Sequence, residues 1–372
     1  MSDLSVSVDR RLAPLFEPIT LAGVPLRNRV AMAPMSRYFC KDGQPHQGVV
    51  DYYRRRAAGG VGLILSEGTY IPHPSAASYE NVPHFYGAAL EQWKHVIDAV
   101  HLAGGRMFPQ LWHTGSFRQT GMGPDPSLPG LGPSDNSNDF TNLPERTRAM
   151  TEAEIADVIA AYAAAAADAQ RLGFDGVEVH GAHGYLIDEF FWANTNRRTD
   201  EWGGDRAART RFAVAVIRAI RASTGPDFPI SFRFSQWKQQ DYTAKLGETP
   251  DELAQVLRPL ADAGVSILHC STRRFWEPGF PDLGEMTLAG WAKKLTGLPI
   301  IAVGGAGLDR PGIKDAAAAP LDHVAEPLAR GEFDVLAVGR ALLADPDWLQ
   351  KMRMGHEDTC LGYNKSHLET LF

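Results

Sequence analysis

The amino-acid sequence predicts an α/β fold of the (β/α)8 TIM-barrel class, and three observations lead to this prediction. Eight short apolar or β-branched runs recur along the 372 residues, and most are followed by a segment with helical periodicity. The runs are nearly continuous in apolar residues, as strands buried on both faces of a parallel sheet require. No G-x-G-x-x-G follows the first run and no G-x-x-x-x-G-K-S/T occurs, so a doubly wound sheet is the weaker alternative.

The predicted strands and helices alternate along the chain. The strands are Arg29–Ala33, Val61–Ser66, Arg106–Gln110, Gly176–His180, Pro229–Phe234, Ser266–Cys270, Pro299–Val303 and Asp334–Val338. The helices are Gly48–Ala58, Leu90–Ala103, one from Thr151 to about Leu172, Ala207–Thr224, one opened by Thr249, Leu288–Lys294, Leu321–Ala329 and Asp347–Met354. Thr151 opens the capping box TEAE, in which a hydroxyl and a carboxylate satisfy unpaired backbone N–H groups. Thr249 precedes Pro250 and two acidic residues, which suits the first turn of a helix.

The chain exceeds the ~250 residues of a typical barrel, and we predict that the excess lies in long loops of one domain spanning residues 1–372. The loop from His113 to Met150 follows the third strand and is rich in Pro, Gly, Ser and Asp, which is typical of a lid. A second long loop runs from Cys270 to Thr287. Both are expected at the carboxyl ends of the strands, where TIM barrels hold their active sites.

Composition and charge exclude several classes of protein. Lys plus Arg 37 against Asp plus Glu 44 gives a net charge of −7, which provides no general attraction for nucleic acid. No apolar stretch approaches the ~18 residues that a membrane span needs. The cysteines, Cys40, Cys270 and Cys360, form no C-x-x-C pair, so we expect a protein of the reducing cytoplasm without a disulfide framework. Nothing in the sequence marks the oligomeric state, for which a homodimer is the base-rate expectation.

The fourth predicted strand ends in HGAHGY, which places His180, His183 and Tyr185 within six residues. Two imidazoles at this spacing can donate to one ligand oxygen, and a nearby phenol can deliver a proton. A metal pair completed by Asp188 or Glu189 is the rival interpretation, and a pair of structural loop histidines is another.

Two other strands carry polar side chains that suit a planar ligand. Gln110 and Trp112 end the third strand, and an amide beside an aromatic ring fits the edge of a heterocycle. Arg233 lies inside the apolar fifth strand, where a guanidinium needs an anion or an electron-rich ligand edge. Plain loop hydrogen bonds for Gln110 and a structural ion pair for Arg233 are the competing interpretations.

The last two strands end in glycine-rich turns. Gly304 and Gly305 follow the seventh strand, and Gly339 and Arg340 follow the eighth. Barrels build phosphate sites at this place from backbone N–H groups, and an arginine adds charge. The residues alone therefore predict a phosphate-bearing planar cofactor at the barrel mouth, with plain turn glycines as the alternative.

Longer motifs resemble those of the old yellow enzyme family of FMN-dependent ene reductases. The matching segments begin at Leu15 and keep the order and spacing of the family. They are LFEPITLAGVPLRNRVAMAPMSR, DYYRRRAAGGVGLILSEGT, QLWH, HGAHGYLIDEFFWANTNRRTDEWGG, FRFS and FDVLAVGRALLADPDW. NRRTDEWGG after HGAHGY is the most specific of them.

The resemblance implies an FMN-binding barrel and a role for each matching residue. Residues lining the flavin ring or contacting its polar edge would be Ala33, Pro34, Met35, Ser36, Gly60, Gln110 and Arg233, and those of the phosphate site would be Gly304, Gly305, Gly339 and Arg340. Trp112 would lie in the substrate pocket, His180 and His183 would bind the substrate's oxygen, and Tyr185 would donate the proton.

The activity implied by the resemblance is reduction of an alkene conjugated to a carbonyl or nitro group. NADH or NADPH would first reduce FMN and leave, and the electrophilic alkene would then occupy the same space. Hydride would pass to the β-carbon, and Tyr185 would protonate the α-carbon from the opposite face. Reductive denitration of nitrate esters or nitroaromatics is the alternative within the family.

Three features depart from the family pattern or lie outside it. Ser36 stands where many members have Thr and one branch has Cys, so a hydroxyl near the flavin is retained. Arg273 and Arg274 in the sixth loop would meet an anionic substrate or the NADPH 2′-phosphate, or form a solvated pair, which we favour. Outside the family, a metal-dependent barrel hydrolase would use His113 with the two histidines of HGAHGY as ligands.

Overall fold

The computed structural model describes residues 10–135, 137, 145–312 and 314–372 and contains a closed barrel of eight parallel strands. In chain order these are β1 (Val30–Met32), β2 (Leu63–Tyr70), β3 (Arg106–Trp112), β4 (Val177–His180), β5 (Ile230–Ser235), β6 (Ile267–Ser271), β7 (Ile300–Val303) and β8 (Val335–Val338). β8 pairs with β1 and closes the sheet. The TIM-barrel prediction is confirmed, since each of the eight apolar runs supplies one strand.

The α-helices alternate with the barrel strands. They are α1 (Gln47–Ala58), α2 (Ala89–Leu102), α3 (Glu152–Leu172), α4 (Leu186–Phe191), α5 (Arg211–Thr224), α6 (Pro250–Asp262), α7 (Leu288–Thr296), α8 (Asp322–Ala329), α9 (Arg340–Ala344) and α10 (Trp348–Met354). Both predicted caps are confirmed, because Thr151 accepts from the Glu154 N–H in a full capping box and Thr249 accepts from the Glu252 N–H. The helix predicted from Ala207 begins with a 3-10 turn and becomes α-helical at Arg211. Within the described ranges, no helix combines the length and apolar character needed to cross a bilayer.

A short antiparallel hairpin, Ile19–Leu21 paired with Val24–Leu26, precedes the barrel and was not predicted. Its inward side chains join a buried apolar cluster with residues of the barrel lumen, including Leu63 on β2, Phe108 on β3 and Ile267 on β6. Since these lumen residues lie near the amino ends of their strands, the hairpin and the cluster form an apolar plug at that end of the barrel.

The lumen becomes polar toward the carboxyl ends of the strands. Glu178 and His180 on β4 pair in register with Ser231 and Arg233 on β5, and Arg233 pairs with His269 on β6. All five residues are buried. Buried polar groups require partners, so this half of the barrel is the place to look for ligand chemistry.

The predicted lid loop, from His113 to Met150, contains ordered pieces. They are a 3-10 turn at Gly115–Phe117 and a short parallel pair between Leu131–Gly132 and Arg148–Ala149. Positions 136 and 138–144 of this loop lie outside the described residues. The turn is attached to α4, since the Ser116 backbone N–H donates to the Glu189 carboxyl at 3.1 Å.

Candidate active site

A cavity of about 460 Å³, partly open to solvent, lies at the carboxyl ends of the barrel strands. Its lining residues are Pro34, Met35, Ser36, Gly68, Gln110, Trp112, His180, His183, Tyr185, Arg233 and Gln239. The fold thus brings together nine residues that the sequence analysis named for the flavin ring and the substrate. Ala33, also named, directly precedes Pro34 at the end of β1.

His180 ends β4 and presents a neutral imidazole to the cavity. The Ala182 backbone N–H donates to its Nδ1 at 3.3 Å, which leaves Nε2 as the protonated nitrogen. Burial, assisted by the positive charge of Arg233, lowers the pKa of His180 to about 3. At neutral pH the side chain is therefore an N–H donor without charge.

This low pKa predicts a pH dependence of stability. Because the folded-state pKa lies below the ordinary value of 6.5, the unfolded chain binds an extra proton between pH 6.5 and about pH 3, and stability falls as pH falls through this window. We expect the flavin-free wild-type protein to lose about 1.4 kcal/mol more per pH unit there than His180→Gln. Denaturant titrations at several pH values measure both curves, and parallel curves would contradict the assignment.

His183 lies in the turn after β4 and is held in an unusual backbone conformation, with φ of 65°. Its backbone N–H donates to Ser235 Oγ at 3.0 Å, and its Nε2 lies 2.7 Å from Ser271 Oγ. The ring stacks on Trp237 with centroids 4.4 Å apart. Burial, followed by the charge of Arg233, lowers the pKa of His183 well below its usual range, so this imidazole is also neutral.

Tyr185 is the residue that precedes the first turn of α4, and its ring stands edge-on to two other cavity rings. The centroid distances are 5.0 Å to His180 and 4.8 Å to Trp112. Burial raises the pKa of the Tyr185 phenol, and a hydrogen bond with Gln239 only partly opposes this effect. The hydroxyl therefore keeps its proton at neutral pH, as a proton donor to a substrate must.

Arg233 projects from β5 into the lumen and has few protein partners. The nearest hydrogen-bond acceptor of its guanidinium is Ser271 Oγ at 3.4 Å, and its Nε finds no partner among the described residues. Burial lowers the pKa of Arg233 while the charge of Glu178 opposes this. A buried guanidinium with unsatisfied donors at a cavity fits an electron-rich ligand edge, as a flavin ring would provide.

The glycine turns after β7 and β8 lie next to each other because these strands are neighbours in the barrel. Gly304 has φ of 150°, and a Cβ there would lie 2.5 Å from the Thr272 carbonyl oxygen, so no other residue fits. A Cβ on Gly339 would lie 3.5 Å from Met35 Sδ, which places this turn beside the cavity. Arg340 donates to the carbonyl oxygens of Arg310 at 2.6 Å and Lys314 at 3.2 Å.

The placement of Gly60 at the flavin edge is corrected by the structure. Gly60 precedes the amino end of β2, where its nearest side chains belong to Leu349 and Gln350 of α10. The cavity instead receives Gly68, near the carboxyl end of the same strand. A Cβ on Gly68 would lie 2.6 Å from the Trp112 ring, so glycine is needed there for close packing.

Of the two arginines in the sixth loop, which were expected to form a solvated pair, only Arg274 lies as expected. Arg274 is exposed and pairs with Glu277 at 3.2 Å, as expected. Arg273 instead lies over the rings of Trp237 at 5.7 Å and Tyr242 at 4.8 Å. Its guanidinium therefore belongs to an aromatic cluster that also includes the wall behind His183.

The metal-hydrolase alternative needs His113 beside His180 and His183, and the structure does not provide this. His113 Nε2 lies 3.1 Å from Ser75 Oγ, and its Nδ1 accepts from the Gly115 N–H. Across residues 10–135, 137, 145–312 and 314–372, no three His, Cys, Asp or Glu side chains are grouped as metal ligands. The two acids that were to complete the metal pair are engaged elsewhere, Asp188 by Lys238 and Glu189 by Ser116.

Several site residues were missed by the sequence analysis. Gln239 and Ser271 are ordinary polar residues of a loop and a strand end, and no pattern distinguishes them. Glu178 could have been found from the sequence. It lies two positions before His180 in an apolar strand, and residues at this spacing face the same side of the sheet. His269 could have been found in a similar way, because it is a polar residue inside the apolar strand β6.

Comparisons with known proteins show which family the chain is similar to. The sequence profile of the NADH:flavin oxidoreductase / NADH oxidase family matches residues 14–359. The NADH oxidase of Thermoanaerobacter brockii is 35% identical over 356 residues, covering 92% of this chain and 51% of that protein. The chain therefore spans about half the length of this relative.

Solved structures show the same likeness in three dimensions. A structure of morphinone reductase in complex with tetrahydroNAD has a TM-score of 0.79 at 29% identity, covering 95% of this chain and 93% of that one. A structure of the old yellow enzyme homologue from Zymomonas mobilis has a TM-score of 0.79 at 25% identity, covering 95% and 96%. The similarity thus extends over nearly the whole of each chain.

Proposed function

The chain belongs to the NADH:flavin oxidoreductase / NADH oxidase family, the old yellow enzyme family, and we propose that it is an FMN-dependent NAD(P)H ene reductase. Its substrates would be α,β-unsaturated carbonyl or nitro compounds. The observation that carries the proposal is the placement of two neutral imidazoles beside a protonated phenol, above a lumen that presents Arg233 and Gln110.

The cavity residues suit FMN by their chemistry. Arg233 presents a guanidinium whose Nε has no partner among the described residues, which suits the electron-rich edge of the ring, and Gln110 presents an amide in the same cavity. Gly68 lines the cavity beside Trp112, Gly339 lies next to Met35, and the turn at Gly304 offers backbone N–H groups for a phosphate. When bound, FMN supplies hydride transfer between NAD(P)H and the substrate's β-carbon.

The chain's own groups bind and protonate the substrate. His180 and His183 donate hydrogen bonds to its carbonyl or nitro oxygen, and these bonds strengthen as negative charge develops there. Because Tyr185 lies beside His180, its proton is near the α-carbon of a substrate held in this way. Trp112 and Tyr185 meet edge to face and form a wall that limits water at the reacting carbons.

The test is the visible spectrum of the purified protein, followed without oxygen. We expect an oxidised flavin band that NADPH or NADH bleaches and 2-cyclohexenone restores. A nitrate ester in place of the enone compares the denitration alternative under the same conditions, and a chelator should change neither half-reaction. Lack of a flavin band, even after incubation with FMN, would overturn the proposal.

We also propose a domain organisation, a cellular location and an oligomeric state for the chain. We place the whole chain in one FMN-binding domain with the His113–Met150 loop as its lid. Cys40 and Cys270 are buried free thiols, and Cys360 is a partly buried one, which suits a reducing cytoplasm. We further propose that the chain forms a homodimer and that NADH or NADPH supplies the hydride.

A further inference from the structure

A hydrogen-bond network lies in the barrel lumen directly below the cavity, and the reaction outlined above does not use it. Its centre is the carboxyl group of Glu178, which has no solvent exposure. Gln110 Nε2 donates to Oε1 at 2.8 Å, while Ser231 Oγ and His269 Nδ1 each lie 2.8 Å from Oε2. We call these four residues the Glu178 network.

The network carries one negative charge. Burial raises the pKa of Glu178, but the hydrogen bonds that it accepts from His269 and Ser231 and the positive charge of Arg233 lower it, so the carboxyl group stays ionised. Burial lowers the pKa of His269, so its imidazole is a neutral donor to this carboxylate. The opposite charge that acts on Glu178 is Arg233, the register partner of His180 on the neighbouring strand, so a buried carboxylate and a buried guanidinium offset each other.

The network also fixes one cavity group. The Gln110 nitrogen donates one N–H to Glu178, which fixes the orientation of the amide and leaves its oxygen and its second N–H for a ligand in the cavity. An amide held in one orientation presents its acceptor and its remaining donor at fixed positions to a ligand edge.

We infer that Glu178 is a positioning residue for the flavin, which orients the Gln110 amide and offsets the charge of Arg233 so that the pair sets the flavin's reduction potential. This rests on the proposed function. Reduced flavin is the more negative form, so Arg233 stabilises it and Glu178 moderates that effect. Removal of the carboxylate charge should therefore favour the reduced flavin.

The test is the midpoint potential of FMN bound to Glu178→Gln, which keeps the shape of the side chain. We expect the affinity ratio of reduced over oxidised FMN to rise at least tenfold, which is about 30 mV more positive for this two-electron couple. Glu326→Gln on α8 changes the net charge equally at a side chain 86% exposed and should shift the ratio less than twofold. A Glu178→Gln ratio within threefold of wild type would overturn the inference.

Three further variants keep the inference open to test if the single variant Glu178→Gln does not fold. His269→Asn retains a donor and should leave the affinity ratio within threefold of wild type. A tenfold fall in this ratio would show that His269 is protonated and that its charge cancels that of Glu178, which would overturn the charge assignment. Arg233→Gln should lower the ratio, and adding Glu178→Gln should restore at least half of the loss in logarithmic terms; no restoration would overturn the coupling. Wild-type protein that binds no flavin would refute the proposed function instead.

Discussion

Replacement of Tyr185 by Phe should slow reoxidation of the reduced flavin by 2-cyclohexenone about 10²–10⁴-fold, the range for loss of a general acid. The substitution removes the protonated hydroxyl beside His180 and keeps the ring that packs edge-on against Trp112. Reduction of the flavin by NADPH needs no proton donor at this position, so its rate should stay within about threefold.

Anaerobic stopped-flow measurement of the two half-reactions separates these effects. Tyr242→Phe is the matched control, because it deletes a phenol 59% exposed on the rim and leaves its ring stacked on Trp237. Both rates should be unchanged in that variant. Equal loss of both half-reactions in Tyr185→Phe would show a structural role and remove Tyr185 from the proton transfer.

Replacement of Lys238 by Met should destabilise the protein by about 3–5 kcal/mol, because it leaves a buried carboxylate without its counter-ion. Lys238 and Asp188 form an ion pair in which each side chain is 1% exposed. Asp188 also accepts from the Gly184 N–H at 2.7 Å, within the turn that carries His183 and Tyr185. Burial raises the pKa of Asp188, and Lys238 opposes that rise.

Guanidinium unfolding measures the loss, and two comparisons identify its cause. Adding Asp188→Asn to Lys238→Met removes the unpaired charge but keeps an acceptor for Gly184, so most of the stability should return. Lys245→Met breaks a pair with Glu248 whose side chains are 44% and 64% exposed, and should cost less than about 1 kcal/mol. A Lys238→Met variant as stable as Lys245→Met would refute a tight buried pair.

The barrel was predictable because its strands are apolar on both faces, and such runs are visible without any knowledge of tertiary contacts. The hairpin at Ile19–Leu21 was missed because three residues carry no detectable periodicity. β2 was predicted to end at Ser66 but continues to Tyr70, since Glu67 is buried and accepts the Arg37 N–H at 2.8 Å. That one charged residue hid the end of the strand, while Gly60 was assigned from the resemblance to the family.

The candidate site was predictable where a charged or titratable residue lies inside an apolar strand or directly after one. Arg233 stood out inside an apolar strand, and HGAHGY stood out after one. The partners of these residues were harder to find, because Ser271 beside His183 and Gln239 beside Tyr185 are common polar residues whose importance comes only from the neighbours that folding provides.

The apolar plug at the amino end of the barrel determines where ligands can enter the cavity. Leu21, Val24 and Leu26 of the hairpin seal one end of the described barrel, so the cavity has its entrance on the opposite side. Under the proposed function, NAD(P)H and the alkene enter the cavity by the same opening, so the oxidised nicotinamide leaves before the alkene binds. In a cavity with a single opening, the two proposed substrates compete for the same space. An excess of either substrate therefore inhibits the half-reaction of the other.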